Sequence, residues 1–228
     1  MVRKRSKIYK TKQKIVNKNK EYDLDSALDL LPKLSYSKFD GVVELHINLN
    51  VDPQKSGQRV RTTVLLPHST GREKKILVFA KGDAVKEAQN AGADILGDEN
   101  TIKKIEDGFL DFDIVLAHPS MMQKLTNIAR ILGPKGLMPN PKSGTLTENL
   151  SKAIKEVKMG KIELKTSEKE PIIHITIGKI SSPKEDLLGN INTIINAVSA
   201  AKPPKVKEPF IKSVYLTPTM GPSIRLNL

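Results

Sequence analysis

Apolar and polar residues alternate with period two toward both ends of the chain, while the middle alternates short apolar runs with helical spacing. Val43-Glu-Leu-His-Ile-Asn-Leu-Asn-Val51 predicts a strand with one apolar and one polar face. Asp52-Pro-Gln-Lys-Ser-Gly57 reads as a turn. Arg59-Val-Arg-Thr-Thr-Val-Leu-Leu66 is the expected return strand of a β-hairpin. Ahead of the hairpin, Asp25 is expected to cap a helix reaching about Leu34, with Leu24, Leu28, Leu31 and Leu34 at helical spacing. Near the other end, Lys161–Lys165 and Ile172–Gly178 read as antiparallel strands. Ser182-Pro-Lys-Glu185 reads as a capping box for a helix burying Leu187, Leu188, Ile191, Ile194, Ile195 and Val198. Val214 and Leu216 alternate with Ser213 and Tyr215 in a further strand. The alternation stops at Thr217-Pro-Thr-Met-Gly-Pro222 and resumes over Ser223-Ile-Arg-Leu226.

From His68 the texture differs. Lys75-Ile-Leu-Val-Phe-Ala80 is an apolar run of the kind found in strands covered on both faces. A helix over 82–91, a strand at 93–96, a helix over 101–107 and a strand at 112–117 follow. A helix from a Ser120 cap to Leu132 comes next, then one from 148 to 159, capped by Thr145 or Thr147 and stopped at Gly160. Alternating strands and helices predict a parallel sheet flanked by helices. The expected fold class is therefore two-domain α/β. A split α+β domain, an antiparallel sheet with helices, is built from residues 1–67 and 160–228. A Rossmann-like α/β parallel-sheet domain is inserted over 68–159.

Charge separates the same regions. The 228 residues carry a net charge of +13, from 38 Lys+Arg and 25 Asp+Glu. Residues 1–67 contribute +7 and residues 160–228 contribute +4, leaving +2 for 68–159. Such a field draws polyanions, of which nucleic acid is the commonest. Residues 1–20 hold nine Lys or Arg and no acid, and are expected to be a partly disordered arm that settles on phosphate. Lys202, Lys205 and Lys207 crowd the linker to the last strands.

Candidate chemistry concentrates in the 217–222 insert. Met220 is expected at the tip of an exposed loop between the hydroxyls of Thr217 and Thr219, with Pro218 and Pro222 stiffening it. Gly221 would adopt positive φ or let the backbone approach a partner. A plain connection between edge strands is the alternative. The second proline-rich loop, Gly133–Gly144, offers Lys135 and Lys142 as a weaker RNA contact, or serves only as a rigid connector.

Other functions are excluded or disfavoured. Without cysteine there are no disulfides, thiol nucleophiles or thiolate metal sites. No apolar run has membrane-spanning length, and the N-terminal segment has no secretory apolar core. Lys142-Ser143 precedes a helix as in a phosphate loop, but Pro141 stands where the glycine belongs. Gly82, Gly92 and Gly97 do not make a dinucleotide fingerprint. His46, His68, His118 and His174 lack metal-ligand spacing, and His46 and His174 read as packing or surface residues in strands. No enzymatic site, metal or cofactor is expected. A nucleotide-binding enzyme using the inserted domain is the alternative reading.

Three stretches together resemble one family. They are Lys38-Phe39-Asp40 leading into Val43-Glu-Leu-His46, Arg130-Ile-Leu-Gly-Pro-Lys-Gly-Leu-Met-Pro-Asn-Pro-Lys142, and Ser213-Val-Tyr-Leu-Thr-Pro-Thr-Met-Gly-Pro-Ser223. The chain resembles, over nearly its whole length, the bacterial large-subunit ribosomal proteins numbered one, which form the ribosome's mobile side stalk. The resemblance implies a cytoplasmic, ribosomal, non-enzymatic protein, monomeric off the ribosome. Its implied partners are large-subunit ribosomal RNA, exit-site tRNA, whose movement and release it assists, and its own messenger RNA, whose translation it represses. Carried over by position, the RNA contacts are Lys38, Phe39, Ser213, Thr217, Thr219, Met220 and Gly221. Val42 departs from the pattern, standing where some relatives are expected to have threonine.

Overall fold

A computed structural model describes residues 6–18, 20–55, 57–71, 73–167, 169–204, 206 and 208–227. Most of the cationic start of the arm (residues 1–5) and the linker residues Lys205 and Lys207 lie outside them. The elements in order are α1 (Lys7–Gln13), α2 (Leu24–Leu34), β1 (Val42–Leu49), β2 (Arg61–Leu65), β3 (Ile76–Phe79), α3 (Asp83–Asn90), β4 (Ile95–Gly97), α4 (Glu99–Glu106) and β5 (Ile114–Ala117). There follow α5 (Met122–Leu125), α6 (Ala129–Leu132), α7 (Leu150–Lys158), β6 (Lys161–Lys165), β7 (Ile172–Lys179), α8 (Lys184–Ala200), β8 (Ile211–Pro218) and β9 (Ile224–Leu226). Two compact units result: residues 1–71 with 162–228, and residues 72–161.

The first unit is built on a four-stranded sheet ordered β7-β1-β8-β9, antiparallel throughout. Strict alternation in β1 sends Val43, Leu45, Ile47 and Leu49 into the core and Val42, Glu44, His46 and Asn48 to the opposite face. Ile173, Ile175 and Ile177 of β7 and Val214 and Leu216 of β8 share the buried side. Helices α2 and α8 supply the rest of that core: Ala27, Leu28, Leu31 and Leu34 from one, Leu187, Ile191, Ile194 and Val198 from the other. Each leucine, isoleucine or valine among them contributes about 1.5–3 kcal/mol by leaving water. Lys184 of α8 joins the helices by pairing with Asp29 at 2.8 Å and Asp25 at 3.2 Å.

The pairings correct the expected hairpin. β1 does not pair with β2; β2 pairs with β6 in a separate two-stranded sheet. Likewise β6 and β7 are not partners, because β7 pairs with β1. Period two places the faces of a strand but says nothing of its neighbour.

Helix starts also differ. Asp25 lies inside α2, whose N-cap position is Asp23. Ser182 makes no capping bond to α8; its hydroxyl instead accepts the Lys179 N–H at 3.2 Å. Asn190 is the buried polar residue of α8. Its amide donates to the Ile177 carbonyl at 2.8 Å and the His68 carbonyl at 3.2 Å, while its oxygen accepts the His68 N–H at 3.2 Å. These bonds satisfy a buried side chain and tie the start of the connecting segment to the core of the first unit. The arm is more ordered than expected where it is described: α1 is capped by Ser6, and Val16 is buried.

The second unit is a three-stranded parallel sheet ordered β4-β3-β5. β3 is buried along its whole length. Ile76 and Val78 pack toward α3 and α7, whereas Leu77 and Phe79 pack toward α4 and the turns of 119–132. Helices on both faces of a parallel sheet explain why the strand lacks a polar side. The single helix expected over 120–132 is a chain of short 3₁₀ and α turns, started by the His118 side chain. The cap of α7 is Asn149, whose side chain accepts the Lys152 N–H at 3.1 Å.

Candidate nucleic-acid interface

Strand β8 runs to Pro218, two residues beyond the expected break, because Thr217 and Pro218 continue the ladder opposite Glu44 and Val43. The chain then reverses in one tight turn, closed by Gly221 N–H donating to the Pro218 carbonyl at 2.9 Å. A turn of this kind needs positive φ at its third residue, which is Met220, at φ 64°. A left-handed methionine costs about 1–2 kcal/mol. Two contacts hold it there. Tyr36 Oη donates to the Met220 carbonyl at 2.7 Å. Thr219 bonds β1 three times: its N–H donates to the Val42 carbonyl (2.9 Å), its hydroxyl donates to the same carbonyl (3.0 Å), and that hydroxyl accepts the Val42 N–H (2.8 Å).

Of the two roles expected for Gly221, positive φ is not taken. A Cβ at 221 would lie 2.6 Å from Pro218 Cγ and 3.3 Å from the Leu34 carbonyl oxygen, so the glycine lets the turn close onto its own fold. What faces outward is Met220, 60% exposed.

The segment bonded to this turn carries a second exposed apolar residue. Phe39, also 60% exposed, lies between Tyr36 and Val42, both of which bond the 219–220 turn. Ser37 Oγ donates to the Phe39 carbonyl at 2.9 Å. Asp40 accepts from the Ser181 hydroxyl at 2.7 Å, fixing the far side of the segment. Lys38 is exposed beside Phe39. Lys38, Phe39, Thr219, Met220 and Gly221 are thus gathered by two hydrogen-bonded loops at one end of the sheet.

Ser213 lies further along β8, opposite Asn48, and is half-buried on the open face. Thr217 shares that face, but its hydroxyl oxygen is buried and has no hydrogen-bond partner among the described residues. Tyr36 is a member that sequence patterning did not single out. Its place in Ser35-Tyr-Ser, just before Lys38-Phe39, was the available signal.

The open face of the sheet extends from this end as cross-strand rows. One runs Thr176–Glu44–Thr217, the next His174–His46–Tyr215–Arg225, and a third Ile172–Asn48–Ser213. These residues lie on the side opposite Leu45 and Ile47, and α1 borders the β8–β9 part of it, where Tyr9 and Gln13 line a hollow with Tyr215 and Arg225. Arg225 pairs with Glu21 at 2.8 Å. By composition this unit carries 23 basic and 13 acidic side chains, against 15 and 12 in the other.

Lys135 and Lys142 belong to the second unit. Both are exposed on the loop 133–144, which is a well-bonded connector. Leu137 and Met138 pack against that unit's core, and Pro139 is buried. Asn140 accepts the Lys142 N–H at 2.9 Å, and Thr145 Oγ1 accepts the Asn140 N–H at 2.8 Å. Of the two hydroxyls expected to cap α7, that of Thr145 closes this loop, and that of Thr147 accepts the Asn149 N–H at 3.2 Å. Among the described residues no three metal-ligating side chains converge, and no helix is long and apolar enough to cross a membrane.

An antiparallel sheet with helices packed on one face, and a separate parallel α/β unit, define a two-unit α/β protein whose first unit is the more cationic. The chain belongs to the Ribosomal protein L1p/L10e family, whose sequence profile matches residues 31–222. It is 48% identical over 225 residues to the large ribosomal subunit protein uL1 of Thermosipho melanesiensis, covering 98% of this chain and 97% of that one. It is 47% identical to the protein of that name from Thermosipho africanus, with the same coverage. With the one from Lactiplantibacillus plantarum identity is 42%, covering 99% and 98%.

Proposed function

We propose that the protein is a structural constituent of the large ribosomal subunit in the cytoplasm, and that it grips ribosomal RNA with the end of the sheet formed by residues 36–42 and 217–222. The observation that carries this reading is the pair Phe39 and Met220. Two large apolar side chains are each 60% exposed on hydrogen-bonded loops of the more cationic unit. A folded protein rarely holds a strained residue outward without a partner for it. The shallow minor groove of helical RNA, with its sugars and 2′-hydroxyls, or an unstacked base, suits that mixture of apolar tips and nearby polar groups. Lys38 and the arm add the salt-dependent phosphate attraction. Family membership, and the names of the relatives, support the ribosomal setting.

Within this reading Met220 and Phe39 make the apolar contacts, Ser213 and the backbone around Gly221 the polar ones, and Thr219 acts by holding the turn. Lys135 and Lys142 are a secondary, electrostatic contact. The finer roles are placement in the mobile side stalk, assistance to exit-site tRNA movement and release, and repression of the protein's own message through the same surface. They rest on the family resemblance.

Filter binding of the full chain to a large-subunit ribosomal RNA fragment tests the site. Phe39→Ala is expected to weaken binding, whereas Glu87→Ala in α3 leaves it unchanged. Wild-type affinity in Phe39→Ala would overturn the assignment. Reconstituting ribosomes that lack the protein and timing release of deacylated tRNA tests the exit-site role. Unchanged release would remove it.

A further inference from the structure

Two of the four histidines, 128 positions apart in the chain, meet on the open face of the sheet. His46 of β1 and His174 of β7 are direct antiparallel partners, so their side chains stand on the same side. Their Nδ1 atoms are 2.8 Å apart, with ring centroids 4.9 Å apart and planes at 69°. That contact requires one ring to donate its Nδ1–H into the lone pair of the other. The opposite nitrogen of His46, Nε2, is 3.6 Å from Glu44 Oε2.

We propose that His46 and His174 chelate one divalent first-row transition-metal ion, Zn²⁺ foremost, through their two Nδ1 atoms. Imidazole nitrogen is a preferred ligand for zinc, copper and nickel. Zn–N bonds of about 2.0–2.1 Å at a tetrahedral angle place two nitrogens about 3.3 Å apart, so the rings need open by only about half an ångström. The ion takes the place of the proton shared between the rings. Each ring then carries its proton on Nε2, so a neutral pair releases none. Glu44 Oε2, now 3.6 Å from His46 Nε2, would have to close by about half an ångström to accept that N–H, the arrangement in which a carboxylate orients a metal-bound imidazole. Water fills the remaining positions, since no third protein ligand converges there among the described residues. Among the described residues β7 is an edge strand paired with β1 alone in this sheet, and the ion would clamp it to the centre.

The test uses the full chain, stripped with EDTA and titrated with Zn²⁺ by calorimetry and thermal melting. One ion per chain and a Tm that rises with Zn²⁺ concentration are expected. His174→Gln, at an exposed position, abolishes both with the circular dichroism unchanged, whereas His68→Gln and His118→Gln keep them. Glu44→Gln lowers the affinity about tenfold. Wild-type stoichiometry and affinity in His174→Gln, loss in His68→Gln or His118→Gln, or no binding by the unmodified chain would each overturn the proposal.

Discussion

The loops at 133–144 and 217–222 have the same ingredients, glycine, proline, methionine and a hydroxyl residue, and use them in opposite directions. In the first, Met138 and Leu137 turn inward against the core of the α/β unit, and the lysines are left outside. In the second, the Thr219 hydroxyl bonds β1, the Thr217 hydroxyl oxygen is buried on the face opposite the core, and Met220 is left outside. A loop that hides its apolar residues is a connector. One that holds a methionine outward in a left-handed backbone fits the RNA contact proposed above. Composition does not separate the two; the direction of the side chains does.

Substituting the two methionines should break this contrast most visibly. Met220→Asp is expected to cost about 2 kcal/mol or more of RNA binding, roughly thirtyfold, at unchanged stability. Met138→Asp should do the reverse, losing about 2–3 kcal/mol of folding stability by placing a charge against a core, with RNA affinity retained in the folded fraction. Filter binding and urea denaturation read the two outcomes. Equal effects of both changes on RNA affinity would erase the distinction between the loops.

Thr219→Val sharpens the account of how the exposed methionine is held. Removing the hydroxyl leaves Val42 N–H without that acceptor, with an expected loss of about 1–3 kcal/mol in urea denaturation. RNA binding should weaken with it because the turn is no longer fixed. Weaker still is Lys142→Ala. It should reduce affinity only a few-fold and lower the slope of log K against log salt by about one or less, whichever RNA is used.

The smallest effect is on pH dependence. The pKa of His46 is lowered in the folded protein, by burial and then by His174. As pH falls below the ordinary imidazole value of about 6.5, the unfolded chain takes up the proton first. Stability is therefore lost on acidification, from about that value down through the lowered folded one. His46→Gln should flatten that part of the stability–pH curve in denaturant titrations, and an unchanged curve would refute the assignment.

Much of this architecture was legible before any coordinates. Alternation in 43–51 and 172–178 marked half-covered strands, and the unbroken Ile-Leu-Val-Phe run of β3 marked one covered on both faces. Helix caps were read less well at Ser182 and Thr145, where the nearest hydroxyl was bonded elsewhere, to Lys179 and within the 140–145 loop. Short polar side chains have several backbone partners within reach, and only packing decides among them.

The chain alone determined its two textures, the uneven charge, the absence of thiol chemistry and the stretches that mark its family, because each is a local or summed property of residues. Tertiary structure decided which strands are neighbours, that β1 lies between β7 and β8 and not beside β2, and that His46 faces His174. It also decided that Met220 takes the left-handed position while Gly221 gives way to Pro218. Those outcomes depend on residues that lie far apart in sequence, and a hydrophobic pattern fixes which face of a strand is buried without naming what lies across it.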